Sequence, residues 1–382
     1  MGCALQTSGM ERTAADDEAR AWLALRMVRG VGPVVYQALV RAFAHPRAVL
    51  EASEHALICA GVRPELARAI RRFAEWNDVD RQLDRLQRSG ASLVTFDSPQ
   101  YPVNLRHIHD PPPFLFVQGE LQARDALAVA VVGSRSVSPY GLRVTRDIAE
   151  GLARYGVTVV SGMARGTDAQ AHWTALRAGG RTVAVMGSGI DVVYPSEHHA
   201  LFRTIPRQGA VMSELLLGTK PDAENFPGRN RIISGLSLGT VVIEAAERSG
   251  SLITATLATE QGRDVFAVPG PIGERTRGTH RLIRDGAKLT ERVEDILEEL
   301  APQLLSGAAR RDPVDLAGDD AAVVQCMRHE TVHVDEVITR SGLPAARVLQ
   351  ALLALELKGV VQQLPGKYFV ATAVDVSRAS QG

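Results

Sequence analysis

Aromatic side chains make up only 5% of this 382-residue chain, cysteines number three, and a basic complement of 43 includes only four lysines, Lys220, Lys288, Lys358 and Lys367. The shortage of rings, beside apolar positions that are mostly Ala, Val, Leu and Ile, argues for helices packed on an aliphatic sheet and against a β-sandwich. Cys3, Cys59 and Cys326 are odd in number and far apart, which excludes a disulfide framework and a zinc site. The longest apolar run, "ALAVAVV" at 126–132, is far short of the roughly 18 residues a membrane span needs. The first twenty residues hold no basic stretch followed by an apolar core, so no secretory signal is read there, and the cytoplasm is the expected location.

Net charge is missing too, with 43 basic against 43 acidic residues. Segment by segment the balance stays small: eleven basic against seven acidic at 26–88, 22 against 23 at 91–306, and seven against eight at 307–370. No domain carries a field that would draw in a polyanion, so any anion site must be a local pocket. Arginine in place of lysine suits such a pocket, because its planar fork grips phosphates and stacks on bases.

What is present begins with helical periodicity from 21 to 76, interrupted by short Gly turns. "RGVGP" at 29–33 reads as the turn of a helix-hairpin-helix unit or as a plain Gly-capped helical turn. A helix over 78–88 follows, then two short strands around the proline-rich loop "DPPP", where His107 and His109 read as loop residues without a metal.

From 126 to 270 strands and helices alternate, with strands expected at 127–132, 157–160, 182–186, 240–245 and 264–270. Helical crossovers between strands imply a mainly parallel sheet covered on both faces, with ligands bound beyond the carboxyl ends of the strands. The turns there are rich in Gly, Ser and Arg: "GSRSVS", "SGMARGTD", "GSGIDVVYP", "EAAERSGSLITA" and "PGPIGERTRGTHRLIRDGA". Such turns cradle phosphate through close backbone approach and exposed N–H groups. None is a G-x-G-x-x-G or G-x-x-x-x-G-K-[ST], which argues against a bound dinucleotide or P-loop nucleotide, and no cofactor is expected. Asp168 and Asp191 read as helix N-caps, and His172 and His199 as structural.

An acidic helix at 291–300 leads to a Gly, Ala and Pro linker at 301–318. Three helical stretches and "VVQQLPGKYFV" then follow in the order of a winged helix.

Taken together, "VVGSRSVS", "SGMARGTDAQAH", "MGSGIDVVYP", the segment from "SELLLGTK" through "FPGRNRIISG" to "VFAVPG", and "GTHRLIRDGAKL" resemble the core of the DNA-processing protein A family, also called Smf. The resemblance covers about 90–300. It implies an extended Rossmann-like, doubly wound α/β sheet domain (89–300), preceded by a disordered tail (1–20) and a helical domain of SAM or helix-hairpin-helix type (21–88). A winged-helix domain (319–372) and a C-terminal tail (373–382) come after the linker. It further implies binding of single-stranded DNA without catalysis, a homodimer formed through the sheet domain, no membrane partner, and loading of the RecA recombinase during natural transformation.

By motif, the implied DNA-binding positions are Ser134 and Arg135 in the first turn, and Arg165, Gly166 and Asp168 in the second. Phe226, Arg229, Asn230 and Arg231 follow in a loop, then Ser249, Gly250 and Ser251 after the fourth strand, with Lys288 near the rim. Thr167 and His280 depart from the usual family pattern, Thr167 replacing Ile or Val and His280 replacing Asn. Phe226 would stack on bases while Arg135, Arg229 and Arg231 grip phosphates, although Asn230 and Arg231 also read as braces between neighbouring turns. Two other readings stay open. One is a nucleotide phosphoribohydrolase of the LOG type with Glu244 as acid or base. Against it, Pro271 and Glu274 do not fit that family's P-G-G-x-G-T-x-x-E run, and Glu244 equally reads as the carboxylate holding Arg229 or Arg231. The other is a duplex-DNA regulator acting through the winged helix.

Overall fold

Nine strands build the large sheet: β1 (Ser92–Thr95), β2 (Phe114–Gly119), β3 (Ala128–Val132), β4 (Thr158–Ser161), β5 (Thr182–Val185), β6 (Gly209–Ser213), β7 (Gly239–Val242), β8 (Asp264–Ala267) and β9 (Lys288–Leu289). The structure, a computed structural model, describes residues 14–307, 318–327, 332–357, 360–364 and 367–371. The expected C-terminal tail and most of the expected N-terminal tail and linker lie outside these residues.

The strand order is β1-β2-β6-β5-β4-β3-β7-β8-β9. From β6 to β9 all neighbours are parallel, and only β1 with β2 and β2 with β6 run antiparallel. The chain steps outward from β3 through β4 and β5 to β6, then returns to continue on the other side with β7. That reversal places the crevice of a doubly wound sheet between the carboxyl ends of β3 and β7. Every residue of β3 to β7 is buried. Helices cover both faces, which is why these strands read as continuous apolar runs without alternation. Strand β6 was not anticipated, so the expected fourth strand is β7. A six-residue helix, His199–Thr204, and a 3-10 turn lead into β6, too short to register as a periodic crossover.

Two compact units divide the chain at Pro302 and Gln303. The first holds six helices ahead of the sheet: Ala14–Met27, Pro33–Phe43, Pro46–Glu51, Glu54–Cys59, Pro64–Arg71 and Trp76–Ser89. The first of these starts seven residues before the expected tail boundary. At the "RGVGP" turn Gly30 adopts φ +93° and Gly32 caps the helix that opens on Pro33, the usual place for a residue without an N–H. Trp22, Leu23 and Tyr36 share one buried cluster with Phe114, Phe116, Met186 and Val211, so these helices pack on the sheet unit and complete its core. Gln82 adds a two-way clamp, donating to the Leu217 carbonyl at 3.1 Å and accepting from the Leu217 N–H at 2.8 Å.

The second unit contains helices Asp319–Met327, Val334–Ser341 and Ala345–Leu357 with strands β10 (Val332–His333), β11 (Val361–Leu364) and β12 (Tyr368–Ala371). These strands form a sheet in the order β10-β12-β11. Val323, Met327, Val337, Val348, Leu352, Leu355 and Phe369 make its core. Strand β10, only two residues long, had no signal in the sequence.

Candidate functional site

The turns after β3, β4, β5 and β7 converge with the helix Asn225–Leu236 at the carboxyl edge of the sheet. Phe226, Arg229, Asn230 and Arg231, expected in a loop, lie within this helix. Pro227 sits in its first turn, where backbone N–H groups have no partner within the helix in any case.

The first two turns are locked together. Ser134 presents its carbonyl to the N–H of Thr167 at 3.2 Å and to the Thr167 hydroxyl at 3.3 Å. The β-branched hydroxyl at 167 thus adds a contact. Gly166 has φ +76°, and a Cβ there would lie 2.4 Å from the Ser134 carbonyl oxygen. Only glycine fits this close approach. Asp168 lies in the first turn of its helix, with Gly166 as the N-cap. Its carboxylate accepts from the N–H groups of Gly162 at 3.1 Å and Ala164 at 3.3 Å, so it shapes the preceding turn where a cap was expected. Burial raises its pKa, with the neighbouring Arg229 charge and these N–H groups opposing the rise. Asp191 is likewise no cap: it accepts from the Gly218 N–H at 2.7 Å and pairs with Arg85.

Arg229 is buried and donates to the carbonyl of Gly162 at 2.6 Å and to that of Val185. It therefore staples the turn after β4 to the end of β5. Burial draws its pKa down to about 10, against the Asp168 charge, which keeps it protonated at neutral pH. Its Nε also donates to Asn230 Oδ1 at 3.2 Å. Arg231 is 7% exposed and ion-paired with Glu214 at 2.5 Å and Asp110 at 3.0 Å. The Glu214 pKa is raised by burial, with Arg231 opposing. Glu244 holds neither arginine: its two oxygens accept from the Ser138 N–H, at 2.9 Å, and from the Ser138 hydroxyl. That bond spans the crevice between β3 and β7 and leaves the carboxylate buried.

Phe226 is half-buried. Its ring lies 5.9 Å from that of Tyr194, with the Arg135 guanidinium 5.2 Å and the Arg229 guanidinium 5.7 Å from its centroid. A Cβ on Gly187 would sit 2.8 Å from this ring, so the glycine makes room for it. Arg135 is exposed. Arg165 is exposed as well and pairs with Glu197, whose carboxyl it holds down at about 2. Ser249 caps the helix Gly250–Glu260, its hydroxyl 2.8 Å from that of Ser251, and Asn230 Nδ2 lies 3.5 Å from the Gly250 carbonyl. Lys288 stands apart on the edge strand β9, three strand spacings or about 14 Å from β3, with its ammonium 2.6 Å from Glu299.

The sequence reading did not single out Tyr194, nor the exposed Arg248, Arg275 and Arg277 on the turns after β7 and β8. The last three stood inside turn segments already noted, and exposure was the missing criterion. His280 is partly buried, its Nε2 3.0 Å from the Gly270 carbonyl, so the ring braces the loop after β8. Among the described residues no cluster of three or more His, Cys, Asp or Glu is arranged to hold a metal, and no helix is long and apolar enough to cross a membrane.

Known proteins share this arrangement. The family model "DNA recombination-mediator protein A" matches residues 92–301, and the DprA winged helix domain matches 307–367. Protein Smf of Escherichia coli (strain K12) is 44% identical over 301 residues, covering 76% of this chain and 80% of the relative. The putative DNA processing protein DprA of Mycobacterium tuberculosis is 34% identical over 408 residues, covering 96% of this chain and 98% of the relative. The X-ray structure of DNA processing protein A from Streptococcus pneumoniae superposes with a TM-score of 0.60 at 34% identity, covering 71% of this chain and 98% of that one. DNA processing protein A from Helicobacter pylori, whose structure is described for its single-stranded DNA binding mode, gives a TM-score of 0.51 at 28% identity, covering 56% of this chain and 98% of that one. The two family models together cover the sheet domain from β1 onward and most of the winged-helix unit, and this chain is a member of the DNA recombination-mediator protein A family.

Proposed function

We propose that this chain binds single-stranded DNA at the carboxyl edge of its large sheet and delivers it to a RecA-type recombinase in the cytoplasm, as a step of natural transformation. The observation that carries the reading is the exposed Arg135 guanidinium over the half-buried Phe226 ring. A cation and a π-face side by side serve a phosphate and a base of the same strand. The structural likeness to the Helicobacter pylori protein supports the choice of ligand.

In this reading Arg135, Arg165, Ser134 and Phe226 meet the strand, joined by Asn230 and the Ser249-Gly250-Ser251 helix start. Gly166, Asp168, Arg229 and Arg231 hold the turns in place, and Lys288 lies at the rim. Contacts to phosphates and base faces carry no sequence information, so base preference is weak. A homodimer through the sheet domain is part of the proposal. The two-residue edge strand β9, with Leu289 46% exposed, leaves an edge for a second copy.

Binding without catalysis is supported by Glu244, whose two oxygens are engaged by Ser138 across the crevice where a hydrolase would present a free carboxylate. The test is a titration of labelled oligo(dT), and of a matched duplex, at two salt concentrations, followed by RecA filament formation on the bound strand. Single-strand preference and faster filament growth are expected. Equal or tighter duplex binding, or turnover of nucleoside monophosphates lost in Glu244→Gln, overturns the reading.

A further inference from the structure

The loop between β8 and the helix Arg277–Arg284 carries Ile272 at 98% exposure, the most exposed large apolar side chain among the described residues. Single exposed apolar residues are ordinary on a surface. This one sits on a loop held in place from several sides. Tyr140 donates its hydroxyl to the Pro269 carbonyl at 2.7 Å, Thr276 donates to the Pro271 carbonyl at 2.5 Å, and His280 braces Gly270. The Gly278 N–H donates to the Ala245 carbonyl at 2.8 Å, tying the loop to the turn after β7. Arg275 donates to the Ser136 carbonyl, one residue from Arg135, and so ties it to the turn after β3. The loop therefore stands across the mouth of the crevice between β3 and β7, with its isoleucine held out into solvent.

The charge around it is local and available. Arg248, Arg275 and Arg277 are exposed, and among the described residues no ion pair engages them or Arg135. The same two turns hold Glu244, Glu247 and Glu274; Glu244 is buried and engaged by Ser138, so among the exposed side chains Arg248, Arg275 and Arg277 outnumber Glu247 and Glu274. Many other arginines of this chain face carboxylates, as Arg20, Arg181, Arg231 and Arg347 do.

We infer that this loop is a second contact for the single strand, beyond the Arg135 and Phe226 pair. Ile272 wedges against a base while Arg275 and Arg277, with Arg248 beside them, hold the flanking phosphates. The inference rests on the single-strand reading of the same edge. Aliphatic side chains are known to insert between bases and unstack them, and each phosphate neutralised on a single strand adds about 0.7 to the salt slope.

The experiment titrates the full chain with labelled oligo(dT) of a short and a longer length, in 50 and 200 mM salt. In Arg248→Ala/Arg277→Ala, which leaves the Arg275 tie to Ser136 in place, the slope falls by about 1.4, which makes the loss of affinity at 50 mM about sevenfold greater than at 200 mM. Ile272→Ala weakens binding about fivefold with the slope unchanged. Both variants lose more on the longer strand, because the loop extends the path. All three side chains are exposed, and an unchanged melting temperature confirms the fold. If Arg135→Ala weakens binding while the loop variants keep wild-type affinity, slope and length dependence, the loop inference is overturned and the single-strand reading stands. If the wild-type chain fails to bind oligo(dT), both are overturned.

Discussion

The Arg135 guanidinium carbon lies 5.2 Å from the centroid of the Phe226 ring, although Arg135 comes from the turn after β3, Phe226 from the helix Asn225–Leu236, and the two are 91 positions apart in the sequence. The ring packs close to Gly187 and Tyr194 and is half-buried. Arg135→Ala should lower the salt slope of oligo(dT) binding by about 0.7. Phe226→Ala should leave the slope in place and weaken binding by about 1–3 kcal/mol. Anisotropy titrations at several salt concentrations separate the two effects.

Arg231 is expected to act on stability. Its guanidinium is buried between Glu214 and Asp110, and removing one partner of such a group leaves an uncompensated charge, at a cost of about 3–5 kcal/mol. Chemical denaturation of Arg231→Ala should show that loss, whereas Arg135→Ala, on the exposed side, should stay within about 0.5 kcal/mol of wild type. Equal stability of the two variants would remove the bracing role.

Gly166→Ala tests the lock between the first two turns. The substitution imposes φ +76° on an alanine and brings its Cβ within 2.4 Å of the Ser134 carbonyl oxygen. A loss of more than about 1 kcal/mol is expected, along with weaker oligo(dT) binding as the Ser134-Arg135 turn shifts. Gly228→Ala, where a Cβ meets nothing within 4 Å, is the control.

His172 makes the protein sensitive to acid. Burial lowers its pKa to about 3, and its Nδ1 lies 2.7 Å from the Thr182 hydroxyl, which itself donates to the Val159 carbonyl. The ring therefore donates from Nδ1 and is neutral in the fold. An unfolded histidine takes up a proton near pH 6.5, so the unfolded state binds more protons below that pH. The contribution of His172 is full above pH 6.5 and declines as pH falls toward 3, by about 1.4 kcal/mol per unit. Melting temperatures measured from pH 8 to 5 should fall less steeply in His172→Gln than in wild type.

Local pattern fixed much of this molecule before any coordinate. Apolar runs without alternation marked β3, β4, β5, β7 and β8 because both faces of a parallel sheet are covered. Gly, Ser and Arg in the turns marked the edge where ligands meet such a sheet, and the order of the last elements marked the winged helix. Strand β6 escaped because its connection is too short to show helical period.

Tertiary structure decided what each arginine does. Arg229, Arg231 and Arg135 look alike as residues, yet the fold brings carbonyls from the turn after β4 and the end of β5 to the first, carboxylates from positions 214 and 110 to the second, and an aromatic ring to the third. Those partners are distant along the chain, so no window of sequence contains them. Composition and periodicity determine which faces are buried, because burial follows local pattern. Which charges are left free for a ligand depends on long-range contacts that exist only once the sheet has closed.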